Sequence, residues 1–344
     1  MKKTAIALAL SMAILALAGC GGGKAENKVL YIYNWTYYIP DDVVEDFEKE
    51  FNCEVVYDVF SSNEDMFAKI KAGGSGYDVV FPGADFVSIM IKEGMLEPLD
   101  PKKIPNLKNL DPAVTSRMSF DPGNKYSVPY FMGATGIVVN KKIVGDFDRS
   151  WNIYERRDLK NKMTLLDDPR ETIGAALKYL GYSVNSVNPD ELAKAEAQIK
   201  KWLENVLRFD SESFGKGYAT GEYAVVHGWA ENVFLELDDA LKADAEFFIA
   251  KEGGVAYMDC MAILKGAKNR DLAHAFINYI QRDDIYARIA SYLALPSVNV
   301  PARAKLTEKP NYTEADLARC ELKLDIGDSI TLYSDLWKRL RLGD

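Results

Sequence analysis

Val29-Leu30-Tyr31-Ile32-Tyr33 is a short run of β-branched and aromatic residues, and two more such runs follow it at 53–59 and 77–81. After the first, Val43, Val44, Phe47 and Phe51 recur at helical spacing behind Asp41 and Asp42, and residues 64–71 read as a second helix. The third run stops at Pro82-Gly83, a turn signal. The order β-α-β-α-β predicts a mainly parallel sheet flanked by helices, and ligands on such a sheet sit at the carboxyl ends of its strands. Residues that directly follow a strand are therefore the first candidates for a site.

The later half repeats the style without repeating the sequence. A loop-rich stretch at 96–130 leads to a strand at 136–140. Strands at 163–166 and 223–226 and helices at 169–180 and 189–207 then make a second α/β lobe. Residues 255–264 read as a long strand returning towards the first lobe, followed by helices at 270–281, 283–292 and 330–341. The expected division is 28–134 with 260–304 as lobe 1, and 135–259 with 305–344 as lobe 2.

At the amino end, Lys2 and Lys3 precede an apolar run at 5–18 that closes on Leu17-Ala18-Gly19-Cys20. A positive start, an apolar run of signal-peptide length and small residues at the cut describe an exported precursor, not a membrane-spanning helix. The motif resembles a bacterial lipoprotein signal. That resemblance implies removal of residues 1–19, lipidation of Cys20, and a tether at 20–27 that includes Gly21-Gly22-Gly23, with the body held on the outer side of a membrane. The competing reading is an ordinary secretory signal with an incidental cysteine.

A chain that is 48% hydrophobic and 27% charged has the composition of a folded globular protein, not of a disordered one. The formal charge of −9 argues against nucleic acid and suits a cationic partner. Beyond Cys20, the cysteines Cys53, Cys260 and Cys320 are far apart and form no Cys-x-x-Cys, and the two histidines are His227 and His274. That inventory argues against a disulfide scaffold, a zinc site and a histidine triad, so no cofactor and no metal are expected. Catalytic motifs are missing too, with no Gly-x-Ser-x-Gly, phosphate loop or His-Glu-x-x-His. Asp168 and Glu171 share one helical turn, so they do not flank a sugar bond from opposite sides. The expectation is a binding protein, not an enzyme, and a monomer.

Trp35, Thr36, Tyr37 and Tyr38 follow the first strand, at the edge where ligands bind, although a tryptophan there can equally cap the sheet as core. Asp85 leaves the third strand at the same edge and reads most simply as a helix cap. In Asp167-Asp168-Pro169-Arg170-Glu171, Asp168 and Glu171 fit a capping box, yet they also stand at a strand's carboxyl end within reach of a cation. Trp229 ends another strand, and Tyr257 and Asp259 lie within the returning one.

As a set, these pieces resemble the spermidine/putrescine-binding proteins of bacterial ABC importers. The resemblance runs from Tyr31-Ile32-Tyr33-Asn34-Trp35-Thr36 through Lys92-Glu93-Gly94-Met95, Tyr126-Ser127-Val128-Pro129-Tyr130 and Gly133-Ala134-Thr135. It continues through Asp167-Asp168-Pro169-Arg170-Glu171 and Lys251-Glu252-Gly253-Gly254 to Met258-Asp259. It implies a two-lobe periplasmic-binding-protein type II fold joined by crossover strands, with a polyamine in the cleft and a membrane permease as partner. The matching ligand residues are Trp35, Thr36, Tyr38, Asp168, Glu171, Trp229 and Asp259. Departures sit in the same region: Tyr37 replaces an acid, Asp85 an aromatic residue, Tyr257 a frequent tryptophan and Leu295 a tyrosine, and Lys323 lies near a neutral polar position. A ferric-ion binder of the same fold is the alternative, because Tyr37-Tyr38 is similar to the adjacent tyrosines those proteins use.

Overall fold

The computed structural model describes residues 28–36, 38–73 and 76–342; the expected leader and tether, Cys20 and Tyr37 lie outside them. Strand β1 (Lys28–Trp35) runs the length of the first apolar stretch and ends on the tryptophan itself. It pairs in parallel with β2 (Cys53–Phe60) on one side and with β3 (Val79–Val80) on the other. The intervening helix Asp41–Phe51 buries Val43 and Phe47 and stops at Asn52, whose φ of 47° is the left-handed conformation that asparagine tolerates. Helix Asn63–Lys71 is capped by Ser62, which accepts from the Asp65 amide, and helix Ala84–Lys92 leaves Gly83 directly after β3.

The segment expected to be loop holds a strand. β4 (Ser127–Ala134) is buried along its whole length, but Pro129 and Gly133 interrupt it, and both residues weaken a strand reading from sequence. After Thr135 the chain enters a second sheet with β5 (Gly136–Asn140), β6 (Met163–Leu165), β7 (Val206–Phe209), β8 (Val225–Gly228) and β9 (Ala245–Phe248). Helix Pro189–Leu203 ends earlier than its pattern predicted, because Val206–Phe209 pairs with β6 instead of continuing the helix. The chain then returns through β10 (Val255–Ile263), which pairs with β4 and β3, and β11 (Glu321–Leu322) lies alongside β10.

Both sheets are mixed. In the first, the order β11-β10-β3-β1-β2 is parallel except where β10 runs against β3 and β4; in the second, β7-β6-β8-β5-β9 is parallel around β6 and antiparallel around β5. The passages between sheets lie side by side: the Thr135 amide donates to Val255 O, and the Glu321 amide to Gly254 O. Gly253 has a φ of +89°, and a Cβ there would come 2.1 Å from the carbonyl oxygen of Arg319, so this passage requires glycine. Cys260 and Cys320 are buried free thiols and Cys53 is a half-buried one. Among the described residues no helix is long and apolar enough to cross a membrane.

Candidate functional site

Asp259 stands where β10 loses register. The pairing shifts between Asp259 and Cys260, opposite Pro129, which has no amide to donate, and the Cys260 amide donates instead to Pro82 O at 2.9 Å. Gly83 bridges to Asp259 directly. The irregularity therefore brings this carboxylate to the turn at the carboxyl end of β3, inside the protein at 7% exposure. Its hydrogen bond comes from a neutral group: the Tyr38 hydroxyl donates to Oδ2 at 2.8 Å. Tyr38 is held in turn by the Tyr130 hydroxyl, which donates to its carbonyl at 2.6 Å, and by the edge-on Tyr130 ring. Burial pushes the Asp259 pKa up to about 7; the Tyr38 bond and the Lys323 charge oppose that rise, and Asp85 and Glu231 add to it.

Glu231 shares this end of the site. It lies in the first turn of helix Ala230–Phe234, and the Tyr257 hydroxyl lies 3.5 Å from Oε1, a long contact. Burial raises its pKa to about 7 as well. Tyr257 pairs with Gly133, and a Cβ at Gly133 would fall 2.3 Å from the tyrosine ring, so the glycine makes room for that ring.

The opposite end is built on helix Pro169–Tyr179. Asp168 is its N-cap, with Oδ1 accepting from the amides of Arg170 at 2.8 Å and Glu171 at 3.0 Å. The expected capping box is only half made, because the Glu171 carboxylate turns away. Its Oε2 accepts from the Thr135 hydroxyl at 2.8 Å, and its Oε1 lies 3.2 Å from Lys323 Nζ, with the Glu171 side chain 1% exposed. Burial raises the Glu171 pKa, and Lys323 is the chief group opposing that rise. Burial likewise works against charge on Lys323, but Glu171, Asp168 and Asp85 outweigh it and hold the ammonium well above its ordinary range.

Asp85 is not the cap of its helix. That position belongs to Gly83; Asp85 is the second helical residue, and its Oδ1 accepts from the Phe86 amide at 3.1 Å. Its charge acts on Lys323, on Asp259 and on Glu64, an exposed acid whose pKa burial of its inner side raises ahead of Asp85. Tyr38, Asp85, Asp168, Glu171, Tyr257 and Asp259 are thus tied together by bonds or by direct charge interaction. Trp35 donates its indole N–H to Phe81 O at 2.9 Å and packs against Phe60, which fixes it beside the same turn. Trp229 is half-buried near Phe214 at the start of the Glu231 helix. Thr36 is exposed in the turn after β1. Leu295 is fully buried.

Sequence reasoning missed Glu231 and Thr135 as parts of this arrangement. The signal for Glu231 was present, two residues after a strand-ending tryptophan, but an acid in a first helical turn also reads as a partner of the helix dipole. His227 is buried, and burial pulls its pKa down to about 3, so it stays neutral and is no base. Among the described residues no group of three or more metal-ligating side chains is assembled. The site can hold cations between carboxylates and aromatic rings.

Comparison with known proteins agrees with this geometry. The family model described as bacterial extracellular solute-binding protein matches residues 42–318. The spermidine/putrescine-binding periplasmic protein of Salmonella typhimurium is 36% identical over 342 residues, covering 97% of each chain. The putrescine-binding periplasmic protein PotF of Escherichia coli is 35% identical over 336 residues, covering 91% of each. Among solved structures, the TpPotD lipoprotein of Treponema pallidum superimposes with a TM-score of 0.89 at 45% identity, covering 92% of this chain and 100% of that one. The spermidine/putrescine ABC transporter substrate-binding protein PotD of Streptococcus pneumoniae gives 0.83 at 30%, covering 92% and 99%. These relatives are transport receptors, not enzymes, and they share the two-lobe α/β fold. With a match to the family model over most of its length and a relative 36% identical along 97% of the chain, the chain belongs to the bacterial extracellular solute-binding proteins, alongside the spermidine/putrescine-binding periplasmic proteins.

Proposed function

We propose that the protein is the extracytoplasmic receptor of an ABC importer, that it takes a polyamine, putrescine or spermidine, into the cleft between its lobes, and that it delivers it to a membrane permease. The observation that carries the reading is a pair of carboxylates withdrawn from water, Asp259 buried and Glu231 half-buried, whose side-chain hydrogen-bond contacts are tyrosine hydroxyls. Buried acids ordinarily have a cationic partner, and a ligand ammonium supplies one here. Trp35, Trp229, Tyr38 and Tyr257 offer aromatic surface for the methylenes and for cation–π contact, with Thr36, Tyr37, Asp85, Asp168 and Glu171 completing the set. Charge-assisted hydrogen bonds of roughly 1.5–3 kcal/mol and cation–π contacts of about 0.5–2 can together offset an association cost of roughly 4–15 kcal/mol.

In this reading the lobes are 28–134 with 260–304 and 135–259 with 305–344, and residues 255–259 and 321–322, paired in the first sheet, form the seam. Cys20 carries lipid behind a cleaved leader of residues 1–19, residues 20–27 are the tether, and the body works as a monomer. The tetrapeptide ending at Cys20 and the lipoprotein designation of the Treponema neighbour support the anchor. The ferric alternative fits less well. Burial first, and then Asp259, raises the Tyr38 pKa, whereas an iron-binding tyrosine must give up its proton.

Calorimetry with putrescine, spermidine and ferric citrate tests the ligand. One polyamine should bind stoichiometrically and be recovered unchanged; failure of both to bind at millimolar concentration ends the reading. Cys20→Ser should shift the protein from the detergent to the aqueous phase, and unchanged partitioning rejects the anchor.

A further inference from the structure

We infer that the pole of the first sheet opposite the candidate site is a docking surface for anionic lipid, so that the anchored protein rests on its membrane with that site turned away. The inference rests on the lipid anchor proposed at Cys20. β1 begins at Lys28 and ends on Trp35, and its eight residues put these ends roughly 23 Å apart. Trp35 marks the end where Gly83 bridges to Asp259. The other end gathers lysines. β10 runs against β3, so the chain leaving Ile263 continues towards the start of β1, and Asn269 donates to Val29 O at 2.6 Å, one residue from Lys28. Lys265 and Lys268 lie on that path.

The charge on this pole is not balanced by the protein. Lys28, Lys268, Arg270 and Asp271 line one cavity of about 530 Å³. Arg270 pairs with Glu97 and Asp271 with Lys103, each at 2.6 Å, so these four charges cancel. Lys102 has Asp100 beside it, whose Oδ1 accepts from its amide at 3.0 Å. Lys265 joins the group through its amide, which donates to Met95 O, while the Glu97 amide donates to Ile263 O. Lys28, Lys265 and Lys268 are exposed and, among the described residues, form no ion pair. The chain as a whole carries a formal charge of −9, the opposite sign. A body of that charge held against an anionic surface is repelled unless it presents its positive side.

The anchor enters at the same pole. Residues 20–27 separate the proposed lipid from Lys28, and eight residues span at most about 29 Å. The unpaired lysines are therefore kept within reach of lipid headgroups, and tethering makes contacts that are weak in free solution effective. Lipid holds the protein, and the lysines orient it.

Amine labelling of the lipidated protein tests the orientation, in phosphatidylcholine vesicles with and without an equal part of phosphatidylglycerol, each lysine's rate being read by mass spectrometry. With phosphatidylglycerol, Lys28, Lys265 and Lys268 should react at least about fivefold more slowly, the bias that one lysine near an anionic surface already confers. Lys216 and Lys242, on helices of the second lobe, should not change. Salt at about 1 M, which shortens the screening length to about 3 Å, should abolish the difference. Combining Lys28→Glu, Lys265→Glu and Lys268→Glu should abolish it too, read at Lys102, and protection that survives in the folded variant overturns the inference. If that variant does not fold, the wild type decides, because equal rates in the two vesicles overturn the inference and leave the anchor in place. Equal protection by inorganic phosphate in pure phosphatidylcholine vesicles would assign the cavity to a free anion and overturn it as well. Wild-type protein that stays out of the detergent phase carries no lipid, which overturns the anchor and the inference together.

Discussion

At one end of the candidate site a buried carboxylate, Glu171, meets a lysine ammonium and a threonine hydroxyl; at the other, Asp259 meets a tyrosine hydroxyl and Glu231 lies at the edge of reach of another. Both ends hide negative charge from water, and hiding it is unfavourable unless a cation is supplied. Glu171 has an ion pair with Lys323, whereas among the described residues neither Asp259 nor Glu231 forms an ion pair, and Asp259 feels the Lys323 charge only from farther off. On the proposed function, the end that lacks an ion pair has more to gain from a ligand ammonium than the end that already has one. The contrast locates binding energy more sharply than the number of acids does.

Two substitutions should separate the ends most widely. Asp259→Asn keeps an oxygen for the Tyr38 hydroxyl but removes the charge, so polyamine affinity should fall by about 2–5 kcal/mol while ligand-free stability holds or rises. Glu171→Gln should do the reverse. It leaves the half-buried Lys323 beside a neutral amide, which should cost about 3 kcal/mol of stability, seen as a lower melting temperature. Equal losses of affinity and of stability in the two variants would erase the distinction.

The pH dependence should fall mainly on the end without an ion pair. Folding raises Asp259 from its ordinary 3.8, and Glu231 from 4.5, to about 7 in each case, chiefly through burial. As the pH rises from about 4 towards 7 the unfolded chain releases these protons while the folded chain keeps them, so ligand-free stability should decline across that window and level off above it. Cation binding needs the ionised forms. Affinity should therefore drop as the pH falls below about 7, by up to tenfold per unit for each acid, and binding at about pH 6 should release protons. Calorimetry in buffers of different ionisation enthalpy measures that release, and a proton count of zero would mean that these acids are already ionised without ligand.

Much of the frame was legible because its signals are local. In the first β-α-β-α-β unit, apolar periodicity and turn residues agree, and the strands fall where they were expected, with β3 shortened to two residues. β4 was hidden because Pro129 and Gly133 look like strand breakers; the proline lies at the register shift beside Asp259, and the glycine makes room for Tyr257. Features that weaken a strand in sequence here set the surroundings of Asp259 and Tyr257. Lys323 stood out only as a departure from the family it resembles, because its partner Glu171 is 152 residues away and the two-residue strand β11 just before it has no readable pattern. Glu231 escaped because a first-turn acid already has a sufficient local explanation.

Asp85 lies between the two ends, and it should give the smallest and most diagnostic effect. Its charge helps hold the Lys323 ammonium and also pushes the Asp259 pKa upward, while its own bond is to the Phe86 amide, with Gly83 in the capping position. Asp85→Asn keeps an acceptor for that amide and removes the charge, so ligand-free melting should change little. Polyamine affinity should weaken by about tenfold, or about 1.4 kcal/mol, because the ligand loses one anion facing it. The same substitution should lower the midpoint of the Asp259 titration, since one like charge has gone. A tenfold loss with a lowered midpoint places Asp85 among the groups that serve the end without an ion pair. Unchanged affinity with an unchanged midpoint would confine Asp85 to its local bond and leave Asp259 and Glu231 to hold the ligand without it.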